Sequence, residues 1–315
     1  MIRLPRAVIT VVIVCFAAAS AFLASPKTLL GQARFAETPL QFDGTYLLMP
    51  VSLGGLNTTF IVDTAAGGTV SSPTTRDALG FTEKDGTLVD VVGAGGEVKY
   101  QALEVPDFNI GGYSRSNFGA LVIDLSRFKK RPGQPYAGII GNNFLSDFDV
   151  EVNLPASRFR LYPHDKDGRA SSPALDERLS VPNEAADKGF IVLKVLIEGK
   201  PVTAILDTGA PTSVLNWNAA NQAGVTMQTK DLRRREKGTG GLCAQVTDTY
   251  LYRFKRVKAG RTSFKVGEVR IADLPIFKTL GLGDKPAMLF GLDMLKDHVL
   301  FVSYSTKKLY FYKPK

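Results

Sequence analysis

The sequence predicts an all-β chain of two homologous, β-barrel-like lobes, and three observations predict it. Residues 47–71 (LLMPVSLGGLNTTFIVDTAAGGTVS) align without gaps to residues 191–215 (IVLKVLIEGKPVTAILDTGAPTSVL). Val51/Val195, Gly55/Gly199, Thr59/Thr203, Ile61/Ile205, Asp63/Asp207, Thr64/Thr208, Ala66/Ala210 and Val70/Val214 are identical. Residues 137–162 align in the same way to residues 287–312, sharing Gly141/Gly291, Leu145/Leu295, Asp147/Asp297, Val152/Val302 and Tyr162/Tyr312. The third observation is compositional: 30 glycines and 17 prolines in 315 residues favour a turn-rich β chain over a helical bundle.

In chain order, residues 1–33 come first and read as an export signal. Arg3 and Arg6 precede an apolar or small run from Ala7 to Ala24, and Ala19-Ser20-Ala21 or Gly31-Gln32-Ala33 suits cleavage. An uncleaved membrane anchor is the alternative, because the run is just long enough to span a bilayer. The expected location is therefore periplasmic or secreted, with N-terminal membrane association left open.

The first lobe is expected over 34–162. Val51-Ser52-Leu53 and Phe60-Ile61-Val62 flank a Gly-containing hairpin, and the second strand runs into Asp63-Thr64-Ala65-Ala66. A Gly-rich run, Gly93-Ala94-Gly95-Gly96, follows, and then Ile139-Ile140-Gly141. No helix start and no Lys or Ser/Thr signature follows that run, so it does not read as a phosphate-binding loop. Residues 163–188, rich in Pro, Ser, Ala and charge, read as an exposed linker. The second lobe, 189–315, repeats the order: a hairpin, Asp207-Thr208-Gly209-Ala210, the run Gly238-Thr239-Gly240-Gly241, and Leu289-Phe290-Gly291.

Three blocks in the same order make chance similarity a poor explanation. One Asp-Thr turn alone would read as a strand-capping carboxylate; two in matched settings read as a pair. On these residues the sequence resembles the retropepsin-like aspartic peptidases, including the bilobal pepsin-type enzymes, over 45–162 and 189–312. The resemblance implies an acid-protease fold with a central cleft in which the Asp63 and Asp207 loops meet. It also implies that these two are the catalytic carboxylates of an aspartic endopeptidase. Two carboxylates about 3 Å apart cannot both ionise and share a proton, so water activation needs neither covalent intermediate, metal nor cofactor.

By the same resemblance, Thr64 and Thr208 lock the two loops together, and Gly209 serves a tight turn. Ala65 stands where the family usually has Gly. Ala66 and Ala210 stand where pepsin-type enzymes carry a hydroxyl donor, which implies a dyad that titrates higher than theirs. Both Gly-rich runs are expected to be flap tips over an extended peptide or protein substrate. Both half-sites lie in one chain, so a monomer suffices. A catalytically inactive peptide-binding or regulatory module on the same fold is the alternative, and Ala65 is the residue that raises it.

The remaining residues suggest no other chemistry. A net charge of +9 is moderate and does not point to nucleic acid. Only Cys15 and Cys243 occur, so no disulfide framework is available, and His164 and His298 read as structural. The basic stretch Lys230–Lys237 reads first as a solvated loop, with recruitment of acidic substrates or anionic lipid as the lesser reading.

Overall fold

The computed structural model describes residues 35–93, 96–126, 128, 136–184, 190–240 and 246–314, together with the backbone of 16–17 and 27–28. The chain is mostly strand, in two lobes, as the repeat predicts.

The first lobe is a closed barrel of six strands. Leu47–Leu53 turns back into Leu56–Val62, with Leu53 opposite Leu56. The two-residue turn needs positive φ at both positions, which Gly54 (φ 52°) and Gly55 (φ 83°) supply. Leu56–Val62 pairs in parallel with Gly138–Ile140, that strand antiparallel with Val70–Ser71, and Val70–Ser71 in parallel with Tyr113–Val122. Tyr113–Val122 pairs with Gly96–Ile110, which closes the ring on Leu47–Leu53 through Ser52↔Asn109 and Leu53↔Phe108.

The second lobe repeats this pathway but stays open. Val192–Ile197 and Lys200–Leu206 form the hairpin, followed by Ala287–Phe290 in parallel, Val214–Leu215 antiparallel and Val269–Ile271 in parallel. Tyr250–Tyr252 and Arg233–Arg234 extend one edge, and Val257–Ala259 and Thr262–Phe264 the other.

A six-stranded sheet joins the lobes. Phe148–Asn153 of the first lobe pairs antiparallel with Val299–Ser303 of the second. Glu151 lies opposite Phe301, its own counterpart in the repeat, so the pseudo-two-fold axis passes through that pair. The apolar residues of this sheet are continuous with both lobes in one core, which includes Val150, Val152, Phe159, Leu300, Val302 and Phe311.

One boundary expectation changes. Residues 163–188 are more than a linker: Ser180–Pro182 pairs with Lys308–Tyr310 and forms one edge of the joining sheet. A 3-10 turn, Glu177–Leu179, leads into it; 185–189 lie outside the described residues. At the other end, most of the segment expected as signal or anchor also lies outside them. Phe16–Ala17 pairs with Val91–Val92, and Lys27–Thr28 with Ser114–Arg115. Among the described residues no helix is long and apolar enough to cross a membrane.

Candidate active site

Asp63 and Asp207 each terminate an interior strand, and each loop is fixed by the same bonds. The Asp63 amide donates to Ile140 O at 3.1 Å and the Asp207 amide to Phe290 O at 3.0 Å. On the far side, Asn142 N donates to Ala66 O (2.7 Å) and Leu292 N to Ala210 O (2.9 Å). The apolar-apolar-Gly segments therefore back the aspartate loops. Their glycines are required by contact, since a Cβ on Gly141 would lie 2.4 Å from Gly68 O and one on Gly291 2.6 Å from Ala210 O.

Two residues that the sequence reading passed over complete each loop. Asn143 Oδ1 accepts from the amide and the hydroxyl of Thr69, both at 2.8 Å. In the second lobe Asp293 Oδ1 accepts from the amide and the hydroxyl of Ser213, at 2.9 and 2.6 Å. Both sit two residues after Gly141 and Gly291, so the repeat alignment already paired them, with hydroxyl partners at matched positions. That was the signal available.

The loops are then gripped together across the lobes. Thr208 Oγ1 accepts from Thr64 N (3.0 Å) and donates to Val62 O (2.8 Å). Thr64 Oγ1 accepts from Thr208 N (3.1 Å) and donates to Leu206 O (3.0 Å). All four groups are buried, so each bond replaces a costly unsatisfied polar atom.

This grip brings the two carboxylates together, both fully buried. Asp63 Oδ1 accepts from Ala65 N (2.8 Å) and Ala66 N (3.1 Å). In the second loop the Ala210 and Gly209 amides favour the ionised form of Asp207 in the same way. Burial pushes Asp63 up, against the Ala65 and Ala66 amides and the bond to Asp207. Burial, and then the charge of Asp63, hold Asp207 well above the usual carboxylate range. Two carboxylates so coupled titrate as a pair rather than singly.

A sequence model described as aspartyl protease matches residues 49–144 and 193–294, once per lobe and together over more than half the chain. The chain belongs to the aspartyl protease family. No curated protein matches it.

The site is asymmetric at the residue after each Asp-Thr. A Cβ on Gly209 would lie 2.3 Å from Asp63 Oδ2, so that carboxylate occupies the space a side chain would need. Gly209 has no positive φ, and close approach alone requires it. Its counterpart Ala65 is fully buried and packs with Phe190, Ile205 and Val214 of the second lobe. The methyl costs no hydrogen bond, because the Ala65 amide still donates to Asp63.

The two Gly-rich runs part company. Gly93 pairs with Gly96 across the hairpin Thr87–Gly93/Gly96–Ile110, which leaves Ala94 and Gly95, outside the described residues, between them. In the second lobe Gly238, Thr239 and Gly240 lead into a turn at 241–245 that lies outside the described residues. Thr239–Gly240 pairs with Val246–Thr247 in a two-stranded ribbon, Thr239 is fully buried, and its hydroxyl accepts from Thr249 Oγ1 at 2.9 Å. A Cβ on Gly238 would meet Val246 Cγ1 at 2.4 Å, so packing holds the glycine there; Gly241 lies outside the described residues.

Tyr46 is the other residue that sequence reading missed. It packs edge-on against Tyr136 at 5.3 Å, on a turn whose amides Thr45 N and Tyr46 N both donate to Asp43 Oδ1 at 2.9 Å. Tyr136 donates its hydroxyl to the same carboxylate. Burial, followed by the charges of Asp207, Asp43 and Asp63, pushes the Tyr46 phenol up.

The remaining candidates are structural. His164 Nε2 meets Asp149 Oδ1 at 3.0 Å in the joining sheet. His298 packs on Phe264, with burial pushing its pKa down. Asp147 pairs with Arg115, and Asp297 O accepts from Lys313 Nζ. Cys15 and Cys243 lie outside the described residues.

Proposed function

We propose that the protein is an active aspartic endopeptidase, with Asp63 and Asp207 as its catalytic carboxylates. The observation that carries this is the fully buried pair of aspartates on loops gripped together by reciprocal threonine bonds, both raised above the usual carboxylate range by burial. In the productive state one proton is shared. The ionised member removes a proton from a water, whose oxygen attacks the peptide carbonyl carbon. The other member gives its proton to the carbonyl oxygen as negative charge develops there. Collapse of the tetrahedral diol then breaks the C–N bond: the protonated member gives its proton to the leaving nitrogen while the ionised member takes one from a diol hydroxyl, which restores the single shared proton.

The substrate is a protein or peptide bound extended across the cleft, with the first-lobe hairpin 87–110 over it. Both carboxylates come from one chain, so a monomer is the active unit. Export to the periplasm or the exterior follows from the N-terminal segment, as either a cleaved signal or an anchor. No cofactor takes part in this scheme.

Cleavage of casein or a peptide library tests the reading. Wild-type hydrolysis should be blocked by a statine-type inhibitor and fall by at least about 10²-fold in Asp63→Asn and in Asp207→Asn. An inactive peptide-binding module would cleave nothing at any pH, and that result would overturn the proposal.

A further inference from the structure

Two arginines of the second lobe, Arg235 and Arg270, stand on one face of the sheet near the carboxylate pair, and the scheme above uses neither. Arg270 pairs in register with Leu251, and Leu251 pairs in turn with Arg233. Arg235, two residues beyond Arg233, continues that ladder by donating its amide to Thr249 O at 2.8 Å. Side chains on a pleated sheet alternate, so Arg235 and Arg270 project from the same face. On its other side Arg270 pairs with Val214, which packs with Leu289 and with Ala65 from the first lobe's aspartate loop. The face is therefore the one turned towards that loop.

The charges there do not balance. The acid beside Arg270 is Asp293, and each favours the charged form of the other. Arg235 is held by neutral acceptors: its Nη1 donates to Lys237 O at 2.6 Å and Gly238 O at 3.0 Å. The neighbours Arg233 and Arg234, by contrast, are paired with Glu268 and Asp248. Burial and then the nearby Arg235 depress Arg270 to about 10, so a further anion at this corner would relieve both cations. The phenol of Tyr46 is pushed up by burial and then by Asp207, with Arg270 opposing, so the field of this corner and that of the carboxylate pair overlap at one side chain.

The first lobe shows what the same scaffold looks like without the charge. Leu121 pairs with Val70 as Arg270 pairs with Val214, and Asn143 stands where the second lobe has Asp293. Asp293 makes the same bonds to Ser213 that Asn143 makes to Thr69, so the loop does not need a charge there.

We propose that Arg235 and Arg270 form a specificity corner that binds a carboxylate of the substrate on the second-lobe side of the scissile bond. The carboxylate is either an Asp or Glu side chain or the free α-carboxylate of the peptide. Guanidinium groups suit this role, because their planar donors match carboxylate geometry and are always charged. The inference rests on the peptidase reading for its meaning in catalysis, but not for its measurement.

Peptides in matched Glu/Gln pairs at each position around the cleaved bond, with free or amidated C-termini, separate the cases. Wild type should favour Glu over Gln about tenfold or more at one position, or free over amidated C-termini if the α-carboxylate is the ligand. Arg235→Gln should cut the ratio below about threefold, and Arg235→Lys should restore part of it. A purely structural role in holding the ribbon would lower both substrates equally. The double variant Arg270→Leu with Asp293→Asn, which copies the first lobe, should likewise erase the preference while remaining folded. Ratios near one in wild type for both kinds of carboxylate overturn the inference. Should wild type cleave none of the peptides, the peptidase reading falls. Fluorescence anisotropy with the same pairs then decides the carboxylate corner alone, equal binding of Glu and Gln refuting it.

Discussion

Replacing Asp207 by Asn should abolish activity and yet make the protein more stable at neutral pH. Both carboxylates are fully buried and held above their ordinary range, Asp207 the more strongly, by burial and then by the charge of Asp63. In the unfolded chain an aspartic acid ionises near pH 4. Between pH 5 and 7 the folded wild type therefore holds one proton more than the Asp207→Asn variant, while the unfolded forms hold equal numbers. A raised folded pKa means stability that is complete below the unfolded pKa and declines as pH rises. The slope for one proton is about 1.4 kcal/mol per pH unit, so over two units wild type should lose about 3 kcal/mol relative to Asp207→Asn. Thermal or urea denaturation of both proteins at pH 5, 6 and 7 measures this. Titrating groups other than the coupled Asp63 cancel in the difference, which should appear as a relative change in Tm of roughly 5–10 °C. Parallel stability curves across that range would show that no proton is held between the carboxylates, and the shared-proton argument would fall.

The remaining expectations concern the same loops. Gly209→Ala places a methyl 2.3 Å from Asp63 Oδ2 and should reduce kcat by at least about 10²-fold, because the loops must part to admit it. Ala65→Gly, which only removes a methyl, should keep kcat within about tenfold, and the contrast is read from steady-state kinetics of the two variants. Thr208→Val removes the acceptor of Thr64 N and the donor to Val62 O, both buried. It should cost about 2–6 kcal/mol in urea unfolding. Activity should peak at mildly acidic to neutral pH, because both members of the pair are raised and Ala66 and Ala210 bring no hydroxyl to lower them. A pH–rate profile with its maximum below pH 3 would contradict this.

What the sequence made legible was whatever the repeat states twice under a local constraint. Asp63 and Asp207, the threonines beside them, and Gly141 and Gly291 recur because each occupies a position where only that residue type fits. The glycines face backbone oxygens less than 3 Å from any added Cβ, and the threonine hydroxyls face amides across the lobe junction. Where partners are distant in sequence, the reading failed. Ser180–Pro182 has no strand pattern of its own and becomes a strand because the edge of Lys308–Tyr312 is there to receive it.

The same comparison turns informative where the copies differ. Asn143 and Asp293 do one structural job, and Leu121 and Arg270 hold one sheet position, yet the second lobe has the charged member at both sites. Either change alone would strand a charge in a buried setting, at a cost of several kcal/mol. Together they leave an arginine beside the carboxylate pair and a second one, Arg235, next to it. Identity between the lobes therefore marks what holds the two carboxylates, and paired divergence marks the side of the cleft that tells one substrate from another.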